Sequence, residues 1–437
     1  MSFIADKQTL EDLNLLGKFK QHSIFSLFNK VNTAGGEKLL TEMFQRPLTD
    51  PEAINKRSAI FKYFQDRQLS FPFSNKQFSM TDNYLSGGSG SNYLAAYAVL
   101  GRKKLLGTLL RDEEYKNILS SLQQTIALLK DCKSFIAQLS NDKDQPFYSE
   151  ILTVKNILND PKLEWLSTAQ TDKLSLAQMA RYDHQLRYKM EKSILTVIQT
   201  FYQLDVYITV ANFAKTKGFS YAQALPKSQN LFTAAALSHP GIEKAVANPV
   251  SFHQSSNMIF LTGANMAGKS TFMKAFGINI YLAHMGFPVA AKDMSFSVRD
   301  GIYTSINVPD NLNMGYSHFY AEVLRVKHAA QEVSSGKNLV IIFDELFKGT
   351  NVKDAYDATL AVTASFSEYD NCLFIISTHI IEAGEVLQEK SNIQMLYLPT
   401  VMNGNVPEYP YKLEQGISND RHGMMIIKNE GILELLD

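Results

Sequence analysis

The chain has 437 residues, 45% of them hydrophobic, 11% aromatic and 20% charged, a composition that builds large cores and excludes a disordered chain. Lys plus Arg number 43 and Asp plus Glu 43, which excludes a uniformly basic nucleic-acid coat but not a local basic patch. Two distant cysteines, Cys132 and Cys372, exclude a disulfide scaffold and a cysteine-rich zinc site.

Length alone predicts two or three domains, at about 100–200 residues each. The start, MSFIADKQTL, carries charge early and has no apolar centre, so it does not read as a secretory leader. No apolar run approaches the roughly 20 residues that cross a bilayer. The expectation is a cytoplasmic chain with no membrane partner. Charge is unevenly spread. Residues 1–225 hold 28 basic and 22 acidic side chains, and residues 226–437 hold 15 and 21. A balance of +6 against −6 would let the first half meet phosphates, although ordinary scatter also produces it.

The first half reads as helical. GGEKLLTEMFQR is a short helix stopped at Pro47. Asp50 before Pro51 is an N-cap with proline at the first helical position. Ser86–Asn92, SGGSGSN, is a flexible loop. Its LSGG start imitates a transporter-ATPase signature, but it lies far ahead of any phosphate loop and reads as a linker. Leu186, Met190, Ile194, Val197, Phe201, Leu204, Ile208 and Ala211 step by three or four. That stripe predicts one helix of roughly 35–40 residues, about 55 Å long, acting as a bundle member or a lever. Core packing alone accounts for the stripe.

Near residue 225 the pattern changes to strands. Met258–Leu261 is an apolar strand, followed by Gly263-Ala264-Asn265-Met266-Ala267-Gly268-Lys269-Ser270, a full G-x-x-x-x-G-K-[ST] phosphate loop, then Thr271 and an apolar helix. Glycines stand where backbone N–H groups must turn inward around phosphate oxygens. Lys269 would reach the β- and γ-phosphates of ATP, and the Ser270 hydroxyl would coordinate Mg²⁺. The helix N-terminus would face the phosphates.

Downstream, LVIIF is a buried parallel strand, with Asp344 at its C-terminal edge to hold Mg²⁺ and Glu345 to orient or deprotonate water. CLFIISTH is a second such strand, ending at His379, a candidate γ-phosphate sensor. Between the phosphate loop and the acidic strand, Gly315 and Ser317 precede a helix from about His318. Their order along the chain resembles an ABC-type signature, which in such ATPases completes the site of the opposite subunit.

These residues together resemble the MutS family of DNA mismatch-repair ATPases. T-G-x-N-M-x-G-K-S-T at 262–271 looks like its phosphate loop, with Asn265-Met266 more specific than the general motif. Gly315–Glu322 resembles its signature, with Ser317 as the phosphate-contacting serine. Asp344-Glu345 with Gly349-Thr350, Ser377-Thr378-His379 and His239-Pro240 resemble its remaining ATPase motifs. Thr33–Leu40, Arg46-Pro47-Leu48 and Ile54-x-x-Arg57 look like the start of its helical core, and Leu204-Asp205-Val206 like its end.

The pattern also departs from the family. Neither a mismatch-reading domain nor a connector is expected ahead of this core, nor a dimerisation or nuclease tail after it. Phe147-Tyr148-Ser149-Glu150 has the wrong spacing for a mismatch-reading Phe-x-Glu. Gly301, Ser305 and Tyr316 stand where the family commonly has Arg, and His318 where Thr is usual. Ala245 stands where an adenine-stacking Phe is expected, which makes Tyr411 the candidate for that role.

The resemblance implies an α + α/β chain: a helical core or lever domain over 1–225, then an ABC-like P-loop ATPase domain over 226–437. It implies Mg²⁺-dependent ATP hydrolysis, a homodimer joined through the ATPase domains with Ser317 acting in trans, and binding of mismatched, branched or distorted DNA. The alternative is a nucleotide-gated protein-assembly ATPase that binds no DNA. A non-hydrolysing sensor is disfavoured, because Lys269, Asp344, Glu345 and His379 are all present.

Overall fold

Strands that are apolar on both faces need cover on both, and three such runs set the centre of the fold. Met258–Gly263, Leu339–Phe343 and Leu373–Ser377 are buried but for the terminal glycine. The computed structural model describes residues 3–17, 22–87, 93–110, 113–306, 318–404, 406–418 and 435. Its seven-stranded sheet runs Ile4–Ala5, Gly301–Ser305, Leu339–Phe343, Leu373–Ser377, Met258–Gly263, Ile393–Leu398, Glu414–Gln415. Every neighbouring pair is parallel except the last.

Side chains alternate across these strands. Met258, Phe260, Leu339, Ile341, Phe343, Phe374 and Ile376 share one core with the helices His318–Ser334, Val352–Ser367 and Ile381–Leu387. On the other face, Ile342 meets the helix Lys269–His284, where a Cβ added to Gly277 would stand 3.2 Å from its Cδ1. Strand order reverses around Met258–Gly263, which lies between strands that come later in the chain. Ligands bind in open α/β sheets at such a reversal, beyond the C-terminal strand ends.

The chain divides into two compact units, one of Met1–Phe28, Met43–Ser58 and Ala214–Asp437, the other of Asn29–Glu42 and Ala59–Phe213. This differs from a single cut near residue 225. Residues 4–12, expected in the helical domain, belong with the sheet. Ile4–Ala5 pairs with Gly301–Ser305, and Asp12 accepts from Thr304 Oγ1 at 2.8 Å and Ile306 N at 2.9 Å. Arg325 binds Asp6 while donating to the Thr304 carbonyl at 2.6 Å. A two-residue strand carries no periodicity, so the sequence pattern concealed it. Gly301 also acquires a reason here, because a Cβ on it would stand 2.4 Å from the Ile4 carbonyl oxygen.

The second unit holds helices alone among the described residues. Its apolar stripe is real: all eight stripe residues from Leu186 to Ala211 are buried. The single long helix is not. Leu176–His184 is followed by a π-helical turn, Gln185–Lys189, and then by Glu191–Lys217. The Met190 amide reaches back five residues to Gln185 O at 2.9 Å. A π turn keeps the apolar face inward, so three-and-four spacing reads straight through it. At 1.5 Å per residue the last helix is about 40 Å long. It is long and apolar enough to span a membrane, yet 67% of its apolar window is buried within the fold.

Asp205 on that helix is fully buried and acts as a clasp. It accepts from Asn32 N at 3.0 Å, Asn32 Nδ2 at 2.9 Å, Thr33 N at 2.8 Å and Thr33 Oγ1 at 2.7 Å. It thereby fixes the start of the helix Ala34–Gln45, whose Gly36 lies so close that a Cβ would be 2.7 Å from Asp205 Oδ2. Phe147 is buried and meets the Tyr207 ring at 5.4 Å, a packing role that agrees with rejecting its Phe-x-Glu reading. The glycine-serine loop is described only to Gly87, where the helix Asn75–Ser86 ends.

Candidate functional site

The site grows from the C-terminal ends of three adjacent strands. Met258–Gly263 delivers the loop 264–268, and the helix begins at Lys269. Two left-handed glycines shape the turn. Gly263 has φ 141° with Leu398 O at 2.8 Å from where a Cβ would sit, and Gly268 has φ 103° with the Tyr411 ring at 3.0 Å. Neither position accepts a side chain without strain. Met266 also takes a positive φ, 69°, and is exposed. Lys269 turns inward, donating from Nζ to Gly263 O at 2.8 Å and Ala264 O at 3.2 Å. Burial lowers its pKa, and the charges of Asp344 and Glu345 oppose that effect.

Asp344 and Ser377 follow a paired register, Phe343 with Ile376, so they emerge side by side. Ser270 Oγ donates to Asp344 Oδ2 at 2.5 Å, and Ser377 Oγ donates to Asp344 Oδ1. Glu345 N donates to Ser377 O at 3.0 Å. The Glu345 carboxylate meets His379 Nε2 at 2.6 Å and Lys348 Nζ at 3.4 Å. The His379 hydrogen bond, aided by the Lys348 charge against partial burial, holds the Glu345 pKa down to about 2.

The acidic loop is held under backbone strain. Glu345 has φ 56° and Phe347 φ 61°, a region costing a non-glycine residue roughly 1–3 kcal/mol. Phe347 packs edge-on to Phe319, and a Cβ on Gly349 would stand 2.9 Å from Phe319 N. The acidic loop therefore touches the first turn of the helix His318–Ser334.

A cleft of about 560 Å³ opens over the loop. It is lined by Ala264–Phe272, Glu345, Leu398 and Tyr411, and on its far side by Leu237–His239, Ile242–Val246 and Asn248. The second, four-stranded sheet supplies that side through Phe232–Leu237 and Asn248–Phe252. Burial, with Lys274 nearby, lowers the His239 pKa to about 4, and its Nδ1 accepts from Gly241 N at 3.2 Å.

The structure thus brings Gly263 to Thr271, Asp344, Glu345, His379 and Tyr411 together. Gly315 and Ser317 lie outside the described residues. Sequence reasoning missed Asn248 and gave Ser377, named within the Ser377-Thr378-His379 motif, no role of its own. Asn248 holds the Tyr411 segment, donating to Tyr411 O at 2.9 Å and accepting from Leu413 N at 2.8 Å. Ser377 reaches both acidic residues, and its place just before Thr378-His379 was the available signal.

The donor set fits a nucleotide with its metal. Among the described residues no group of three or more His, Cys, Asp or Glu is placed to hold an ion by itself. A hydroxyl and a carboxylate in contact at the loop mouth suit Mg²⁺, which takes one or two protein ligands and completes its shell with phosphates and water.

Comparison with known proteins gives matches to two family models and to curated relatives. The family model for MutS domain III matches residues 8–211, and that for MutS domain V matches residues 259–434. The DNA mismatch repair protein MutS of Lactococcus lactis subsp. cremoris strain SK11 is 30% identical over 197 residues, 45% of this chain and 23% of that protein. The protein of the same description from Streptococcus pyogenes serotype M18 is 26% identical over 262 residues, 59% of this chain and 29% of that protein. The matched stretches therefore span less than a third of these relatives.

Proposed function

Because the chain belongs to the MutS family, we propose that it binds Mg²⁺-ATP in this cleft, hydrolyses it, and couples binding to rearrangement of a homodimer on mismatched, branched or distorted DNA. The carrying observation is the Ser270–Asp344 contact of 2.5 Å at the mouth of a loop whose two glycines leave its backbone open. Bound Mg²⁺ would neutralise charge on the transferring phosphoryl group, held there by Ser270 and Asp344. The amides of Gly263–Ser270 bind phosphate oxygens, and Lys269 exchanges its two carbonyl partners for them. Tyr411, pressed against Gly268, offers its ring to the base.

Glu345 orients the attacking water. A carboxylate held at about 2 is a weak base, so positioning dominates its contribution. His379 shares Glu345 Oε1 and so ties that orientation to the third strand. The Phe347 and Gly349 contacts with Phe319 link the same loop to the helix that follows Gly315 and Ser317, the residues proposed to act in trans. The helical unit is the proposed lever. ATP shifts such a device only by its differential affinity for two arrangements. Both cysteines are buried and unpaired, in keeping with a cytoplasmic, reducing location.

The second reading, protein assembly without DNA, is favoured by what replaces the family's arginines. Gly301 is taken up by the Ile4 strand, and the Ser305 carbonyl accepts from Asp344 N at 2.9 Å. Neither side chain is available as a cationic relay. The deciding experiment measures ATP binding and hydrolysis by the full chain with homoduplex, mismatched and branched DNA at two salt concentrations. Lys269→Ala should abolish binding, and Glu345→Gln should keep binding while lowering turnover at least about 100-fold. Stimulation by one DNA form, lost at high salt, supports the DNA-coupled reading. Hydrolysis indifferent to every DNA favours protein assembly, and parent-rate turnover by Glu345→Gln refutes the role given to Glu345.

A further inference from the structure

A magnesium-binding carboxylate is only as well placed as the groups that stop it rotating. Asp344 stands at a strand end, where the two oxygens of an unrestrained carboxylate would interchange freely. One oxygen, Oδ2, faces Ser270 at 2.5 Å and belongs to the proposed metal position. The other, Oδ1, is held by Ser377 Oγ. Ser377 is fully buried, and its strand neighbours that of Asp344. The same serine fixes the next residue, because Glu345 N donates to Ser377 O at 3.0 Å and approaches its Oγ at 3.3 Å. One residue therefore sets the rotation of the metal ligand through its hydroxyl and the backbone of the water-orienting residue through its carbonyl.

We infer that Ser377 is a positioning residue for the metal, whose hydroxyl locks Asp344 with Oδ2 towards Ser270 and so raises the affinity of the nucleotide site for Mg²⁺. The inference rests on the Mg²⁺-ATP reading of the cleft. Its neighbour Thr378 is engaged elsewhere, its Oγ1 accepting from Ile380 N at 3.0 Å. Without the Ser377 hydroxyl the carboxylate is held on one side only. The shorter contact, Glu345 N to the Ser377 carbonyl at 3.0 Å, survives a side-chain change and only the 3.3 Å approach to Oγ is lost, which separates most of the water positioning from metal positioning.

The test measures binding of a fluorescent ATP analogue to the full chain, in EDTA and across a Mg²⁺ titration, for the parent, Ser377→Ala and Ser377→Thr. Mn²⁺ binding in the presence of ATP, followed by electron paramagnetic resonance, gives a readout independent of turnover. Ser377→Ala should keep its affinity in EDTA and need about 10-fold more Mg²⁺ for half-saturation, with Mn²⁺ weakened to match. Ser377→Thr, which keeps the hydroxyl, should return close to the parent. Equal Mg²⁺ half-saturation in the parent and Ser377→Ala would overturn the inference while leaving the ATP reading intact. So would an equal loss of affinity in EDTA and Mg²⁺, which marks a merely structural residue. No nucleotide binding by the parent would overturn the ATP reading and this inference with it.

Discussion

Replacing Asp205 by alanine tests whether one buried carboxylate holds the start of the helical unit together. Two backbone amides and two side-chain groups of Asn32 and Thr33 donate to it within 3.0 Å, and Thr209 Oγ1 adds a longer contact at 3.3 Å. Hydrogen bonds to a charged acceptor are worth roughly 1.5–3 kcal/mol each, and leaving a buried donor unpaired costs about 1–3 kcal/mol. These terms are not additive, because freed side chains turn to other partners, so the expected loss is about 3–5 kcal/mol. The assay is urea denaturation followed by the fluorescence of Trp165. This is the chain's one tryptophan; it lies in the helical unit, stacked on Tyr182 at 3.7 Å. With a slope near 2 kcal/mol per molar, the midpoint should fall by roughly 1.5–2.5 M. Thr209→Val, which removes the longest contact to Asp205 and a 3.4 Å contact from Asn32 Nδ2, should cost under about 1 kcal/mol. A shift below about 0.5 M for Asp205→Ala would refute the clasp.

Three further outcomes follow from named contacts. Gly301→Ala drives a methyl into the Ile4 carbonyl, so hydrogen exchange at the Ile4 amide, bonded to Asp300 O at 2.8 Å, should accelerate at least about 10-fold; unchanged protection would show the strand adjusts. His284 is fully buried, and burial lowers its pKa to about 3 from 6.5. The unfolded chain therefore takes up a proton that the fold refuses. Stability falls as pH drops from about 6.5 towards 3, by about 2 kcal/mol at pH 5, and His284→Gln should lose that slope in denaturation by circular dichroism. Glu345, held at about 2 from 4.5, contributes stability that is present above 4.5 and lost as pH falls through 2. On the proposed reading it adds no acid limb to the ATPase profile above pH ~4, and His379→Ala should bring one in near 4–5; an unmoved limb would show that His379 does not set the Glu345 pKa.

Legibility in the sequence followed the range of the physics. The phosphate loop, Asp344-Glu345 and His379 were readable because each motif is fixed by local backbone needs, a left-handed glycine or a strand end. The stripe from Leu186 to Ala211 was readable as a buried face, but not its interruption at Gln185–Lys189, since the step of four from Leu186 to Met190 fits both an α turn and a wider π turn. What stayed hidden depends on partners far apart in the chain. Thr304 finds Asp12, and Asn32 finds Asp205, across 292 and 173 residues, and no local pattern marks either pair. The placement of residues 4–12 was missed for that reason.

The same distinction explains how the residues that depart from the family pattern act. Gly301 and Ser305 look like losses when read as missing arginines, yet Gly301 has a use in the sheet, where it admits the Ile4 strand, while the Ser305 carbonyl accepts the Asp344 amide as that of any residue there would. Phe347 keeps a left-handed backbone that glycine would adopt without strain, and gains a buried ring against Phe319. A ring that fixes the acidic loop to the helix after Ser317 stiffens the link between a subunit's own Glu345 and its proposed contact with a partner. Phe347→Gly would relieve the strain but break that link. On the proposed reading it should leave ATP affinity near the parent while uncoupling dimerisation from nucleotide, measured by sedimentation with and without ATP. Nucleotide-dependent dimerisation that survives Phe347→Gly unchanged would show that the strained ring serves packing alone.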